Sequence, residues 1–130
     1  IIMAVDMRHP DQKILTKLDQ KLRNIVSQEC NNFKLEGEIV EEWQSPAVKF
    51  DEKCINAVRK ATKDLGYTHK EMVSGAGHDS VYVSRVVPTS MIFIPCEKGI
   101  SHNELENAKQ EDIEAGCNVL LNAMLSLSKD

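Results

Sequence analysis

The sequence predicts an α/β chain, and three observations carry that reading: an alternating apolar run at the start, a long helical stripe behind it, and a short buried run later, bounded by turn residues. Ile1, Met3, Val5 and Met7 alternate with Ile2, Ala4, Asp6 and Arg8, the period-two pattern of a strand. That register sets Asp6 and Arg8 on one face at the strand end. Pro10 and Asp11 stop the strand and open a helix, whose Ile14, Leu15, Leu18, Leu22, Ile25 and Val26 form one apolar stripe at helical spacing. Leu35, Gly37, Ile39 and Trp43 recur at even spacing and predict a second strand over residues 34–43, able to pair with the first across the helix.

A loop with Ser45 and Pro46 marks the expected internal boundary. Beyond it Asp51 is placed to cap a helix carrying Cys54, Ile55, Val58, Thr62 and Leu65 on one side and ending at Gly66. Met72 and Val73 lead into the turn Ser74-Gly75-Ala76-Gly77, a short helix is expected over residues 78–86, and Met91 to Ile94 reads as a buried strand. Strand, helix, strand in that order argues for a parallel sheet. Ile113, Gly116, Cys117, Leu120, Leu121, Met124 and Leu127 stripe a closing helix, with Glu111, Asp112 and Glu114 near its positive end.

The bulk properties exclude several classes. The 130 residues hold 16 basic and 20 acidic side chains without a basic run, so nucleic acid is not an expected partner. No apolar stretch approaches the roughly 20 residues of a membrane span. The four cysteines, Cys30, Cys54, Cys96 and Cys117, form no CxxC pair, which fits reduced thiols and a cytoplasmic protein. The opening Ile1-Ile2-Met3-Ala4-Val5 reads as a strand with neither initiator methionine nor signal peptide, so the chain is expected to be a fragment.

Two segments could carry chemistry. In Ser74-Gly75-Ala76-Gly77-His78-Asp79 the glycines precede a histidine and an aspartate at an expected strand-to-helix turn. Such glycines let a backbone approach a ligand, or serve a turn with positive φ followed by an Asp or His cap. The Lys and Ser/Thr of a P-loop are missing. The second segment, Pro95 to Asn103, follows the expected buried strand, at the edge where open parallel sheets place ligands. His102 sits there as a possible metal ligand or as an ordinary hydrogen-bonded histidine.

SGAGHDS at 74–80, PTSMIFIPCEKGISHNELE at 88–106 and DIEAG at 112–116 resemble the carbamoyl-amino-acid hydrolase and allantoate amidohydrolase family, in order and at its spacing. Asp6-Met7-Arg8-His9-Pro10 is similar to that family's D-x-R strand end. Residues 43–51 resemble the stretch by which its chain re-enters the catalytic domain. The resemblance implies an α/β fragment of a two-domain metalloamidase, with residues 1–45 from the lid and dimerisation domain and 46–130 from the C-terminal part of the catalytic domain.

It also implies site residues. His102, in the GISH motif, would be one ligand of a pair of divalent ions (zinc, manganese, cobalt or nickel) whose other ligands lie upstream. Gly77 and His78 would face the substrate, with His78 polarising the scissile carbonyl. Arg8 would hold the substrate carboxylate, reaching the active site of a partner subunit, and the parent would be a homodimer through its lid. The implied substrate is a small carbamoyl or ureido compound. His9 and His69 fall outside these motifs as surface or capping residues, and Glu104 and Glu106 read as solvated carboxylates. The competing expectation is a stand-alone α/β module that binds a small anion at Gly75 to Gly77 without catalysis.

Overall fold

The computed structural model describes residues 1–128 and contains four α-helices: α1 (Gln12–Phe33), α2 (Glu52–Asp64), α3 (Ser80–Val83) and α4 (Gln110–Leu127), with a 3-10 turn at Glu97–Gly99. The chain divides into two compact units. The first is Ile1–Val48 with Val73–Ala76, and the second is Lys49–Met72 with the chain from Gly77 onward.

In the first unit, α1 begins where the sequence says it should. Asp11 is extended and its carboxylate accepts the Lys13 N–H at 2.8 Å, satisfying a donor the helix cannot use itself. His9 adds a second stop, its Nδ1 accepting the Asp11 N–H at 2.9 Å. The helix closes on Lys34, whose φ of 52° turns the chain back so that the Leu35 N–H reaches Cys30 O at 2.9 Å. Behind that turn Gly37 lies against the helix: a Cβ there would stand 2.5 Å from Cys30 Sγ. Further along, the Ala47 N–H donates to Gln12 Oε1 at 3.1 Å, and Arg23 bridges Asp19 and Glu41. The apolar stripe of α1 stays partly open, with Ile25 46 % exposed.

In the second unit α2 and α4 pack together. Asp51 caps α2 by accepting the Cys54 N–H at 2.9 Å, and Gly66, at φ 73°, follows its end. The seam buries Ala57, Ala61, Val119 and Ala123, with Val58, Tyr67, Ile92 and Leu127 packed around it. Side chains this small let the two helices approach closely, so contact density rather than bulk holds them. Gly116 brings α4 equally close to the 91–96 segment: a Cβ there would meet Ile94 Cγ2 at 2.7 Å.

The expected strands are corrected. Residues 1–8, 34–43 and 91–94 carry no ladder, and among the described residues no strand occurs. Alternation specifies which face of a strand is buried. A ladder also needs a second strand in register to take its N–H and C=O groups, and the described backbone supplies none. The strand-helix-strand detail of the α/β expectation therefore does not form, whereas helices are found at each of the places where the sequence predicts them.

Candidate functional site

The turn before α3 fixes His78. The backbone N–H of Ser80 donates to His78 Nδ1 at 3.0 Å, the Ser80 hydroxyl lies 3.1 Å from the same nitrogen, and Val81 N–H donates to His78 O at 2.9 Å. A backbone N–H can only donate, so Nδ1 must accept, and the neutral ring carries its proton on Nε2. Capping and orientation are the same bond here. Gly75 and Gly77 do not have positive φ, which corrects the turn explanation for them. Among the described residues nothing comes within 4 Å of where their Cβ atoms would be.

In the first unit the D-x-R pattern folds into a fork. Arg8 Nε lies 3.1 and 3.0 Å from the two carboxylate oxygens of Asp6, and Arg8 Nη2 lies 2.5 Å from Asp6 Oδ2. Arg8 Nη1 donates to Gly75 O at 2.5 Å. The pairing holds the Asp6 carboxyl below the usual carboxylate range and pushes Arg8 further above its own ordinary value. Three of the five guanidinium N–H groups are engaged, leaving one on each Nη for a second planar anion.

His102 lies in a closed loop. The Glu97 N–H donates to Asn107 O at 2.7 Å and the Asn107 amide returns to Glu97 Oε2 at 3.1 Å, so the neck is tied twice. Within it Lys98, Gly99 and His102 have φ of 56°, 70° and 55°. Histidine tolerates that region better than bulky residues, but it remains a conformation the surroundings must enforce. The enforcing group is Glu106: its Oε2 accepts the His102 N–H at 2.7 Å, while the Cys96 thiol points to its Oε1 at 3.9 Å. Asn103 completes the loop by accepting the Leu105 N–H at 2.9 Å. Among the described residues neither ring nitrogen of His102 has a hydrogen-bond partner, and the residue is exposed.

The donor chemistry at His102 thus fits a metal ligand, an accessible imidazole on a fixed peptide. It is one donor only, since among the described residues no three His, Cys, Asp or Glu side chains come together as a metal-binding group. An open depression in the second unit is lined by Lys49, Asp51 and residues 84–89, and none of Arg8, Gly77, His78 or His102 lines it. The sequence reading missed Glu106, treated as solvated, and Ser80. No periodicity signals either, because both act through single backbone N–H groups, of Ser80 itself and of His102.

Residues 7–126 match peptidase family M20/M25/M40. The chain belongs to that family. The family assignment is refined by its relatives. An N-carbamoyl-L-amino-acid amidohydrolase of Rhizobium meliloti is 36 % identical over 129 residues, covering 99 % of this chain and 31 % of that protein. A ureidoglycolate hydrolase of Oryza sativa subsp. japonica is 38 % identical over 120 residues, covering 85 % of this chain and 25 % of that one. The crystal structure of an amidase of the hydantoinase/carbamoylase family from Burkholderia multivorans superposes with a TM-score of 0.88 at 50 % identity, covering 92 % of this chain and 29 % of that one. The chain therefore has the fold of the corresponding part of a family member and spans 25 to 31 % of the length of these relatives.

Proposed function

We propose that this chain is the C-terminal part of a metal-dependent amidohydrolase that cleaves a linear carbamoyl or ureido C–N bond in a carboxylate-bearing substrate of the N-carbamoyl-L-amino acid or allantoate type. The observation that carries the reading is the Nε2–H tautomer of His78, set by the Ser80 N–H at 3.0 Å. A neutral imidazole with its proton held outward is the donor a tetrahedral oxyanion requires. The activities for which these relatives are named, on N-carbamoyl-L-amino acids and on ureidoglycolate, support the substrate class.

In this reading Arg8 binds the substrate carboxylate with the two N–H groups that Asp6 and Gly75 leave over, and Asp6 fixes the guanidinium plane. Gly77 stands beside the reacting carbonyl, where a missing side chain serves the ligand rather than the fold. His102 holds one of two divalent ions, of zinc, manganese, cobalt or nickel, with the other ligands contributed by chain beyond these residues. Bound divalent ions supply hydroxide near neutral pH and Lewis acidity at the carbonyl. Residues 1–45 form part of a lid through which the enzyme dimerises, residues 46–130 belong to the catalytic domain, and the enzyme is cytoplasmic. Among the described residues no helix is long and apolar enough to cross a membrane.

The binding-module alternative loses its main support, because α3 has four residues and cannot offer a phosphate-type N-terminus. The test is direct. The intact protein, loaded with each metal in turn, is offered N-carbamoyl-L-amino acids, allantoate and ureidoglycolate, and ammonia release is followed with and without a chelator. Hydrolysis of at least one substrate, lost on chelation, is expected. Inertness toward all of them with every metal would overturn the proposal.

A further inference from the structure

The Glu106 carboxylate has two partners in the loop that carries His102, and the reaction proposed above does not use it. It reaches back four residues to the His102 N–H at 2.7 Å and ten residues to the Cys96 thiol at 3.9 Å, closing the loop across its middle while the Glu97–Asn107 pair closes its neck. The held peptide is at one of the loop's three left-handed positions, with φ 55°. The direction of a Cα–Cβ bond follows from the backbone on either side of it, so the group that fixes this peptide also fixes where the imidazole starts.

We infer that Glu106 is a positioning residue for His102: it holds the His102 peptide through its N–H and so sets the approach of the imidazole to a divalent cation. The inference rests on the reading of His102 as a ligand. Ligating histidines are ordinarily oriented by a bond to their second ring nitrogen. Here both ring nitrogens lack a hydrogen-bond partner among the described residues, and orientation comes through the main chain instead. Length matters to this arrangement, because one carboxylate spans two partners on opposite sides of the loop. An aspartate is one methylene too short to do so, whereas a glutamine keeps an oxygen for the N–H.

The experiment measures zinc affinity of the intact protein by chelator competition for wild type, His102→Ala, Glu106→Ala, Glu106→Asp and Glu106→Gln, with hydrogen exchange at the His102 amide as a second readout. Loss of an outer partner of a metal ligand typically weakens binding about 10- to 100-fold. Glu106→Ala and Glu106→Asp are expected in that range, Glu106→Gln within about threefold of wild type, and the His102 amide is expected to exchange slowly in wild type and quickly in Glu106→Ala. Wild-type affinity in His102→Ala would refute the ligand reading itself. Weakened binding in His102→Ala with wild-type affinity in Glu106→Ala would overturn the positioning inference alone, as would a Glu106→Gln loss equal to that of Glu106→Ala. Should Glu106→Ala fail to fold, exchange in the wild-type protein still decides: a His102 amide as fast as that of exposed Ser101 would overturn the inference.

Discussion

The Ser80 backbone N–H and His78 Nδ1 lie 3.0 Å apart, and this contact assigns the two ring nitrogens different tasks. Nδ1 belongs to the fold, because it caps the first turn of α3. In the proposed reaction Nε2 is the nitrogen that would face the substrate. A side chain already immobilised in its donor tautomer has no reorganisation to undergo when charge develops on the carbonyl oxygen.

His78→Ala is therefore expected to lower kcat by about 100- to 1,000-fold, corresponding to roughly 2.7 to 4 kcal/mol of lost transition-state stabilisation, with metal content unchanged. Steady-state kinetics and elemental analysis of the same preparation check this. A kcat within tenfold of wild type, or loss of metal, would assign His78 a different part in the enzyme.

Arg8→Lys is expected to act on binding. A lysine carries the charge but cannot hold Asp6 through two donors and still present a planar pair to a carboxylate. KM should rise by about tenfold or more, with a smaller fall in kcat. Stability should not move, because Arg8 and Asp6 are both exposed and such pairs contribute little. The companion measurement is a carbon-detected NMR titration: the Asp6 carboxyl, held low chiefly by its bond to Arg8, should titrate higher in Arg8→Ala.

The strands expected from the sequence and the helices expected beside them fared differently for a physical reason. Asp11 and Asp51 announce their helices because a cap and its partner lie within three residues, and the stripes of α1 and α4 repeat within one turn. The alternation of Ile1 to Arg8 is equally local, but the hydrogen bonds that would make it a strand are not. The site divides along the same line. The Asp6–Arg8 fork follows from a two-residue spacing that places both side chains on one face. Glu106 holding a backbone N–H inside an irregular loop has no such signature, and Gly75 O as an Arg8 acceptor lies 67 residues away.

Asp51 carries the acid sensitivity of α2. Its carboxyl is held below the usual range, first by the Cys54 N–H, so the ionised form favours the folded state. That contribution is complete above the ordinary carboxylate value of about 3.9 and disappears as pH falls through the lowered one. Urea denaturation should show Asp51→Ala less stable than wild type near neutral pH, with the gap narrowing in acid. A gap independent of pH would contradict this. Cys54 is raised, mainly by burial and then by Asp51, so iodoacetamide should modify exposed Cys117 well before it.

Gly116→Ala sets two effects against each other. Alanine in place of glycine within a helix gains about 1 kcal/mol, but overpacking costs about 1 to 3 kcal/mol. The added Cβ would stand 2.7 Å from Ile94 Cγ2, and a β-branched side chain has little freedom to step aside. Net destabilisation is expected in the wild-type background and net stabilisation when Ile94→Ala is also present. Denaturation midpoints for the four members of that cycle decide it.

Ile94 stands two residues ahead of Cys96, at the stem of the loop that carries His102. With no side chain at Gly116 to act as a spacer, the backbone of α4 is the floor on which that stem rests. In the proposed enzyme the position of the His102 imidazole would thus be set in part from α4, which carries none of the proposed ligands. A shim as thin as one methyl group, slipped under the stem from α4, would tilt the loop that carries His102 without altering any residue of that loop.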